Sequence, residues 1–351
     1  MKLYILFVKI DELLLPPSHF NNTIFFYYYM MMNEYSVAWW NVENLFDIEN
    51  SPDRSDKLQR VLKEELRGWN IQILDKKLEQ LSKIIHRMND GKGPDILGVC
   101  EIENKNVIQK LKGKLNNLDH KYDIVHTDTK DERGIDVAFI YDSNKFEANQ
   151  VFSHWIVKRE ATRDILQVNF KIKSTGNTLV LIGNHWPSKL GGELTSEPYR
   201  MVAGETISYY HQRILEEIGK EASILTMGDF NDGCFHRSVT DYALSVNNKL
   251  KVLKATTRPL FYNLMWPKTI GDSGTHFYDG FQTIDQFWIS KGIVKEKDFL
   301  IKNDTVEIIQ YNDMVTSGEY KKPLRFGRPS DNLNINGYSD HFPICLVLKE
   351  K

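Results

Sequence analysis

The stretch Ala222-Ser223-Ile224-Leu225-Thr226-Met227-Gly228-Asp229-Phe230-Asn231-Asp232 decides how this chain is read. An apolar run ends on a glycine and releases an Asp and an Asn two residues apart. In an extended chain the side chains at i and i+2 share a face, so Asp229 and Asn231 address one reacting group if the strand geometry persists. Other apolar runs end in the same way. Asn41 and Glu43 follow residues 35–40, Glu101 follows 96–100, Asn184 and His185 follow 179–183, and Asp340 with His341 precedes 342–348. Each run has the length and composition of a buried strand. Polar groups at one end of many strands form a rim, and α/β proteins build their sites on such rims.

These residue types suit phosphoester cleavage. The reaction needs charge neutralisation on the phosphoryl oxygens, an oriented or deprotonated water, and help for the departing oxygen. Carboxylate and amide oxygens bind Mg²⁺, which keeps several waters and shares its sphere with substrate phosphate. Singly each signal is weak, because an Asp-His pair is ordinarily a surface turn and a strand-end Glu ordinarily a solvated group. The weight lies in the ordered set.

That set carries a resemblance. Trp39-Trp40-Asn41-Val42-Glu43-Asn44-Leu45-Phe46, Ile96 to Asn104 with Cys100-Glu101-Ile102-Glu103 inside it, Asp136-Val137-Ala138-Phe139-Ile140-Tyr141, Gly183-Asn184-His185-Trp186-Pro187-Ser188, Gly228-Asp229-Phe230-Asn231-Asp232, Ile284-Asp285-Gln286-Phe287 and Ser339-Asp340-His341-Phe342-Pro343-Ile344 resemble the successive motifs of the endonuclease/exonuclease/phosphatase superfamily, the group of DNase I, exonuclease III and the neutral sphingomyelinases. They stand in the family's order and span residues 35–349. The resemblance implies Mg²⁺ or Mn²⁺ as cofactor, with Glu101 the central metal ligand, Asn41 and Glu43 beside it, and Asp340 supporting the metal or the catalytic His. It makes Asp229 the group that orients and deprotonates water, Asn231 the holder of the scissile phosphate, and His341 a donor to a phosphoryl oxygen. Asp285 then fixes the His341 tautomer and favours its charge, and His185 contacts phosphate or assists the leaving group. Glu103 lies as close to the metal position in sequence as Glu43 does.

Composition fits one large enzyme domain. The 351 residues carry 45 basic and 47 acidic side chains, which argues against a nonspecific polyanion binder, and 41% apolar residues supply a sizeable core. No tract is long enough to insert stably in a membrane. Lys105, Lys110, Lys112 and Lys114 read as a solvated helix face, whereas Lys321, Lys322, Arg325 and Arg328 form the better candidate for steering a polyanion. Arg133 and Arg200 are each open between substrate contact and a local structural role, as is the Ser188-Lys189 loop. The 3 cysteines give neither a disulfide framework nor zinc spacing and favour a reducing, cytoplasmic setting; the chain itself gives no oligomeric state.

Leu74, Leu78, Leu81, Ile85 and Met88 share one helical face, so residues 74–88 read as an amphipathic helix, and 199–219 as a second. Residues 135–141, 151–157, 164–172 and 178–184 read as strands with little helix between them, hence antiparallel connections. Two mixed β-sheets packed face to face with helices on the outside fit this pattern, and the family's four-layer α/β sandwich implies the same. Trp39, Trp40, Trp155 and Trp288 read as core, as does Phe261 to Trp266. Residues 47–73, with Trp69, form an insert longer than compact family members carry. Residues 1–32 read as an N-terminal extension, disordered or a mis-assigned start, ahead of a domain over 33–351; the apolar start is a poor secretion signal.

The leading expectation is a metal-dependent phosphodiesterase, a DNA endonuclease first, with nucleic acid as its substrate. The alternatives are a sphingomyelinase-like diesterase or a phosphomonoesterase, and from another class a catalytically dead binding module. Peptide mapping of the native protein tests the expected start: no peptide from residues 2–20 should appear, and its detection contradicts the mis-assigned start.

Overall fold

A computed structural model describes residues 32–351 except 132, 159–161 and 304; the extension expected over 1–32 lies almost wholly outside the described residues. The strands are β1 (Glu34–Leu45), β2 (Ile96–Ile102), β3 (Tyr122–His126), β4 (Asp136–Asp142), β5 (Phe146–His154), β6 (Ile165–Ile172), β7 (Thr178–His185), β8 (Ser223–Asp229), β9 (Ser245–Val246), β10 (Phe261–Asn263), β11 (His276–Phe277), β12 (Phe281–Gln282), β13 (Asp285–Ile289), β14 (Phe299–Ile301), β15 (Glu307–Ile308) and β16 (Ile344–Glu350). One sheet runs β14-β16-β1-β2-β4-β3, with β15 also on β16; the other runs β5-β6-β7-β8-β13-β10-β9. Both are mixed. β1–β2 and β7–β8 pair in parallel at the two centres, while β2–β4 and β8–β13 are antiparallel.

The inner faces meet in one apolar core, where Val37, Trp39 and Phe139 of the first sheet pack with Phe170, Leu181, Met227 and Phe287 of the second. Gly98 sets the approach, since a β-carbon there would stand 2.6 Å from the Trp39 ring. Outside the first sheet lies helix α2 (Ile71–Gly91), which follows the short α1 (Asp56–Val61) and precedes α3 (Lys105–Gly113). The Asn70 side chain caps α2 by accepting from Ile73 N, and left-handed Asn89 and Asp90 end it. Leu74, Leu78, Leu81 and Ile85 bury against Trp40 and Val42, each worth roughly 1.5–3 kcal/mol. Outside the second sheet, α4 (Glu193–Ile218) packs Ala203, Ile207 and Ile214 on Ile182, Ile224 and Trp288. The four-layer sandwich is therefore observed.

The expected elements are present with shifted ends. Trp39, Trp40 and Trp288 are fully buried, as expected, but Trp155 is 65% exposed. β5 stops at His154, so the strand expected to reach residue 157 ends before Trp155 can turn inward. In the 261–266 segment Phe261 and Met265 are buried, so it offers no exposed apolar hairpin.

The insert over 47–73 is fastened from within. Arg54 donates to both carboxylate oxygens of Glu103 at 2.5 and 2.8 Å and to the carbonyls of Asp47, Ile48 and Glu49, and neither charged side chain reaches water. Breaking such a pair from one side leaves a buried charge uncompensated. Arg54→Ala should lower unfolding stability by about 3–5 kcal/mol in guanidinium titrations; a loss under about 1 kcal/mol, the surface-pair range, contradicts the anchoring role.

Candidate active site

Register brings the site together. His185, Asp229 and Asp285 stand in one row across β7, β8 and β13, because His185 pairs with Asp229 and Asp229 with Asp285. Gly228, one residue earlier, is needed for the close strand approach: a β-carbon there would lie 2.5 Å from the Asn184 β-carbon. From the facing sheet, β1 supplies Asn41 and β2 supplies Glu101. Glu101 sits at a register shift with φ of 65°, a left-handed conformation that costs about 1–3 kcal/mol and recurs at functional sites. Its Oε2 accepts from Asn44 N at 2.7 Å and its Oε1 from Asn41 Nδ2 at 3.2 Å. The 339–342 loop is stitched on by Ser339 Oγ donating to Asn41 O, Trp40 Nε1 donating to His341 O, and Phe342 N donating to Thr275 O.

Asn41 Nδ2 also donates to Asp229 Oδ2 at 3.0 Å. His185 Nε2 lies 3.7 Å from Glu101 Oε1 and 3.8 Å from Asp229 Oδ2. His341 Nδ1 bonds Asp285 Oδ2 at 2.7 Å, leaving Nε2 at 3.8 Å from Asp229 Oδ2 and 4.0 Å from Asp340 Oδ1. Asn231 N donates to Asp229 Oδ1 at 2.9 Å, and its Nδ2 to Trp186 O at 3.0 Å. Asn41, Glu101, His185, Asp229, Asn231, Asp285, Asp340 and His341 thus converge on one place at the strand ends.

Glu43 does not join them. Its carboxylate accepts from Phe326 N at 2.9 Å, Gly327 N at 3.1 Å and the Arg325 guanidinium, with buried Lys77 at 3.7 Å. Glu103 is held by Arg54. Of the basic residues expected to steer a polyanion, Arg325 is paired with Glu43 and Asp331 and Arg328 with Glu65, and Lys322 stands 3.8 Å over the Phe277 ring. Lys189 pairs with Glu193 at 2.9 Å, and buried Arg200 forms an ion pair with Asp232 at 2.7 Å. Asn184 is spent on backbone carbonyls and the Trp186 indole.

Burial pushes the Asp229 carboxyl up and Asp285 adds to this, while His341 and the donors from Asn231 and Asn41 offset part of it; the result is about 7. Burial works against charge on His341, yet Asp285 and Asp229 outweigh it and hold the ring well above its ordinary range. His185 is driven the other way by burial and by the Arg163, Arg133 and His341 charges, so it is neutral. Burial raises Glu101, but Arg133, His341, Asn41 and Asn44 bring it below the usual carboxylate range. Burial raises Asp340, with Glu101 adding to it.

Three contributors carried no legible sequence signal as site residues. Arg163 is buried, donates to Trp186 O at 2.9 Å and pairs with Asp131 at 3.2 Å. Trp39, read as core, also donates its indole N–H to Asp285 Oδ1 at 3.2 Å. The His276 ring lies tilted against the His341 ring, their centroids 4.6 Å apart. Arg133, open between two roles, acts electrostatically on both Glu101 and His185.

The donor set fits a hard divalent ion. Glu101 and Asp340 offer oxygen ligands of the type Mg²⁺ takes, whereas Asn41 turns its Nδ2 to Glu101 and Asp229 and its Oδ1 accepts from Glu43 N at 3.0 Å, so it offers an oxygen only if the amide turns over. Burial first, and then Asp285 and Glu101, raise Asp229 and Asp340, a deficit that a cation would relieve.

A family model described as endonuclease/exonuclease/phosphatase matches residues 36–350. Among solved structures, an endonuclease/exonuclease/phosphatase family protein from Bacteroides thetaiotaomicron is 14% identical, covers 92% of this chain and 99% of its own, and superposes with a TM-score of 0.53. A mannosyl-6-phosphatase from the same organism is 16% identical, covers 90% and 99%, and scores 0.51. The human nocturnin catalytic domain with bound sulfate is 13% identical, covers 92% and 98%, and scores 0.55. No curated protein sequence matches the chain.

The His341 shift has a definite sign. A histidine whose folded pKa lies above its unfolded value of 6.5 stabilises fully below that pH, and the contribution is lost as pH rises through the folded value. In metal-free protein the His341 ring should titrate by NMR above pH 6.5, and Asp285→Asn should lower the midpoint by about one unit or more. An unchanged midpoint contradicts Asp285 as the source of the shift.

Proposed function

The chain belongs to the endonuclease/exonuclease/phosphatase family, and from that premise we propose that it is a divalent-metal-dependent phosphodiesterase, with DNA the leading substrate and endonucleolytic cleavage the leading mode. The observation that carries the reading is the convergence of three differently tuned groups on one point: a carboxylate poised near 7, an imidazolium and a neutral imidazole. Separated pKa values of this kind mark acid and base assignments.

Asp229 takes the proton of the attacking water, since a base near the working pH is the efficient one. The Asn231 amide lies beside it to hold the phosphate. His341, charged and fixed by Asp285, donates from Nε2 to a phosphoryl oxygen and stabilises the charge that grows there. His185 stands across the cleft with its Nε2 toward Glu101 and Asp229, placed for the leaving oxygen. Arg133 and buried Arg163 favour an anion at this place. Mg²⁺ or Mn²⁺ would be held by Glu101 and Asp340, with Asn41 joining through its oxygen if the amide turned over, and would supply neutralisation of the phosphoryl charge.

A second reading, a phosphomonoesterase for small phosphate esters, draws support from the local pairing of Arg325 and Arg328, which leaves less free positive charge for a long polyanion. The similarity to a mannosyl-6-phosphatase is consistent with it. The sphingomyelinase reading loses its candidate membrane hairpin, because Phe261 and Met265 are buried. A dead binding module has no use for eight converged catalytic-type residues.

Supercoiled plasmid incubated with purified protein and Mg²⁺ or Mn²⁺ should be nicked, and EDTA should stop it. Asp229→Ala and His341→Ala should each fold normally and lose about 10²–10⁴-fold in rate. Folded wild-type protein that leaves plasmid intact but hydrolyses small phosphomonoesters selects the second reading; an Asp229→Ala variant that retains most activity overturns the assigned base.

A further inference from the structure

We propose that His276 gives the divalent ion of this site a nitrogen ligand beside the Asp340 carboxylate, which biases the site toward Mn²⁺ or Co²⁺ over Mg²⁺. The inference rests on the metal-dependent reading above and adds to it a residue and an ion preference. His276 opens the β11–β12 hairpin, and the backbone delivers it to the cleft: its main chain forms an antiparallel bridge with His341, flanked by the Phe342 N to Thr275 O bond of 2.7 Å. One ring nitrogen of His276, one carboxylate oxygen of Asp340 and one ring nitrogen of His341 lie within 4.8 Å of one another. Donors bound at about 2.1 Å to a shared ion stand at most about 4.2 Å apart, so only a small closing movement is needed.

His276 also has an unmet requirement. Its Nδ1 is buried and has no hydrogen-bond partner, a condition that ordinarily costs about 1–3 kcal/mol. Ligation of an ion through Nδ1, with the hairpin adjusting around it, would remove the deficit. His341 is not the natural ligand, because Asp285 takes its Nδ1 and its Nε2 serves Asp229 and the phosphate. The ligand pair is therefore His276 with Asp340. The Asp95, His120 and Asp142 group offers no comparable case: its carboxylates already accept from Ser36 N, Lys121 N, Asn144 N and the Lys145 ammonium. An imidazole donor distinguishes ions: Mg²⁺ and, less strictly, Mn²⁺ prefer oxygen, and the gain from nitrogen rises along the series from Mn²⁺ to Co²⁺.

The test is metal binding by the EDTA-stripped full chain, read as free Mn²⁺ by electron paramagnetic resonance, with Mg²⁺ measured by competition. His276→Gln should weaken Mn²⁺ binding about tenfold and leave Mg²⁺ within about twofold, and imidazole added to His276→Ala should restore part of the Mn²⁺ affinity. Melting curves confirm that both variants are folded. Unchanged Mn²⁺ affinity, or equal losses for both ions, overturns the ligand role while leaving the metal-dependent function standing. Wild-type protein that binds neither ion overturns both, and Glu101→Gln, which should lose both ions, separates these results.

Discussion

The side-chain amide of Asn41 joins the two sheets at the floor of the cleft. Its Nδ2 donates to Glu101 on the neighbouring strand and to Asp229 on the opposite sheet. Two carboxylates that would repel each other are thus held by one donor, and the geometry of the site depends on the sheet separation that Trp39 and Gly98 set behind it. Trp39 serves both tasks, filling the core between the sheets and giving its indole N–H to Asp285. The fold and the site share residues rather than dividing them, so errors in core packing pass directly to the reacting groups.

Electrostatics then separates groups of the same type. His341 and His185 lie in one buried cleft, yet the first faces Asp285 and Asp229 and stays charged, while the second faces guanidinium charge and stays neutral. Asp229 and Glu101 share the Asn41 donor and each accepts a backbone N–H, yet Glu101 has the Arg133 charge beside it and ionises readily, whereas burial and then Asp285 across the β8–β13 pair make Asp229 hold its proton more tightly. Placement on strands, not residue type, assigns the roles.

Much of this was legible in the sequence because apolar runs with polar ends mark strands that stop at a rim. Period and composition give β1, β2, β7 and β8 and a helix over 74–88, which the structure extends to 71–91, and the motif order gives the sandwich. What escaped was local backbone conformation. Strand alternation places Asn41 and Glu43 on one face, but Glu43 and Asn44 adopt φ of 54° and 53°, and that bulge turns the Glu43 carboxylate to the 325–327 loop. The same reasoning united Asp229 and Asn231 for the wrong reason. Asn231 has φ of 52° and has left the strand; it reaches the site through a turn in which its N–H caps the Asp229 carboxylate. Arg163 and His276 come from segments with no motif, and only tertiary pairing across β6–β7 and at the His341 bridge brings them in.

The measurement that bears most directly on this account is hydrolysis of bis(p-nitrophenyl) phosphate by EDTA-stripped protein titrated with Mg²⁺ or Mn²⁺, for wild type and for Asp229→Asn. The account predicts no turnover without metal, saturable activity as either ion is added, and loss of that activity in the folded variant. Turnover that persists in EDTA, or that Asp229→Asn retains, contradicts it.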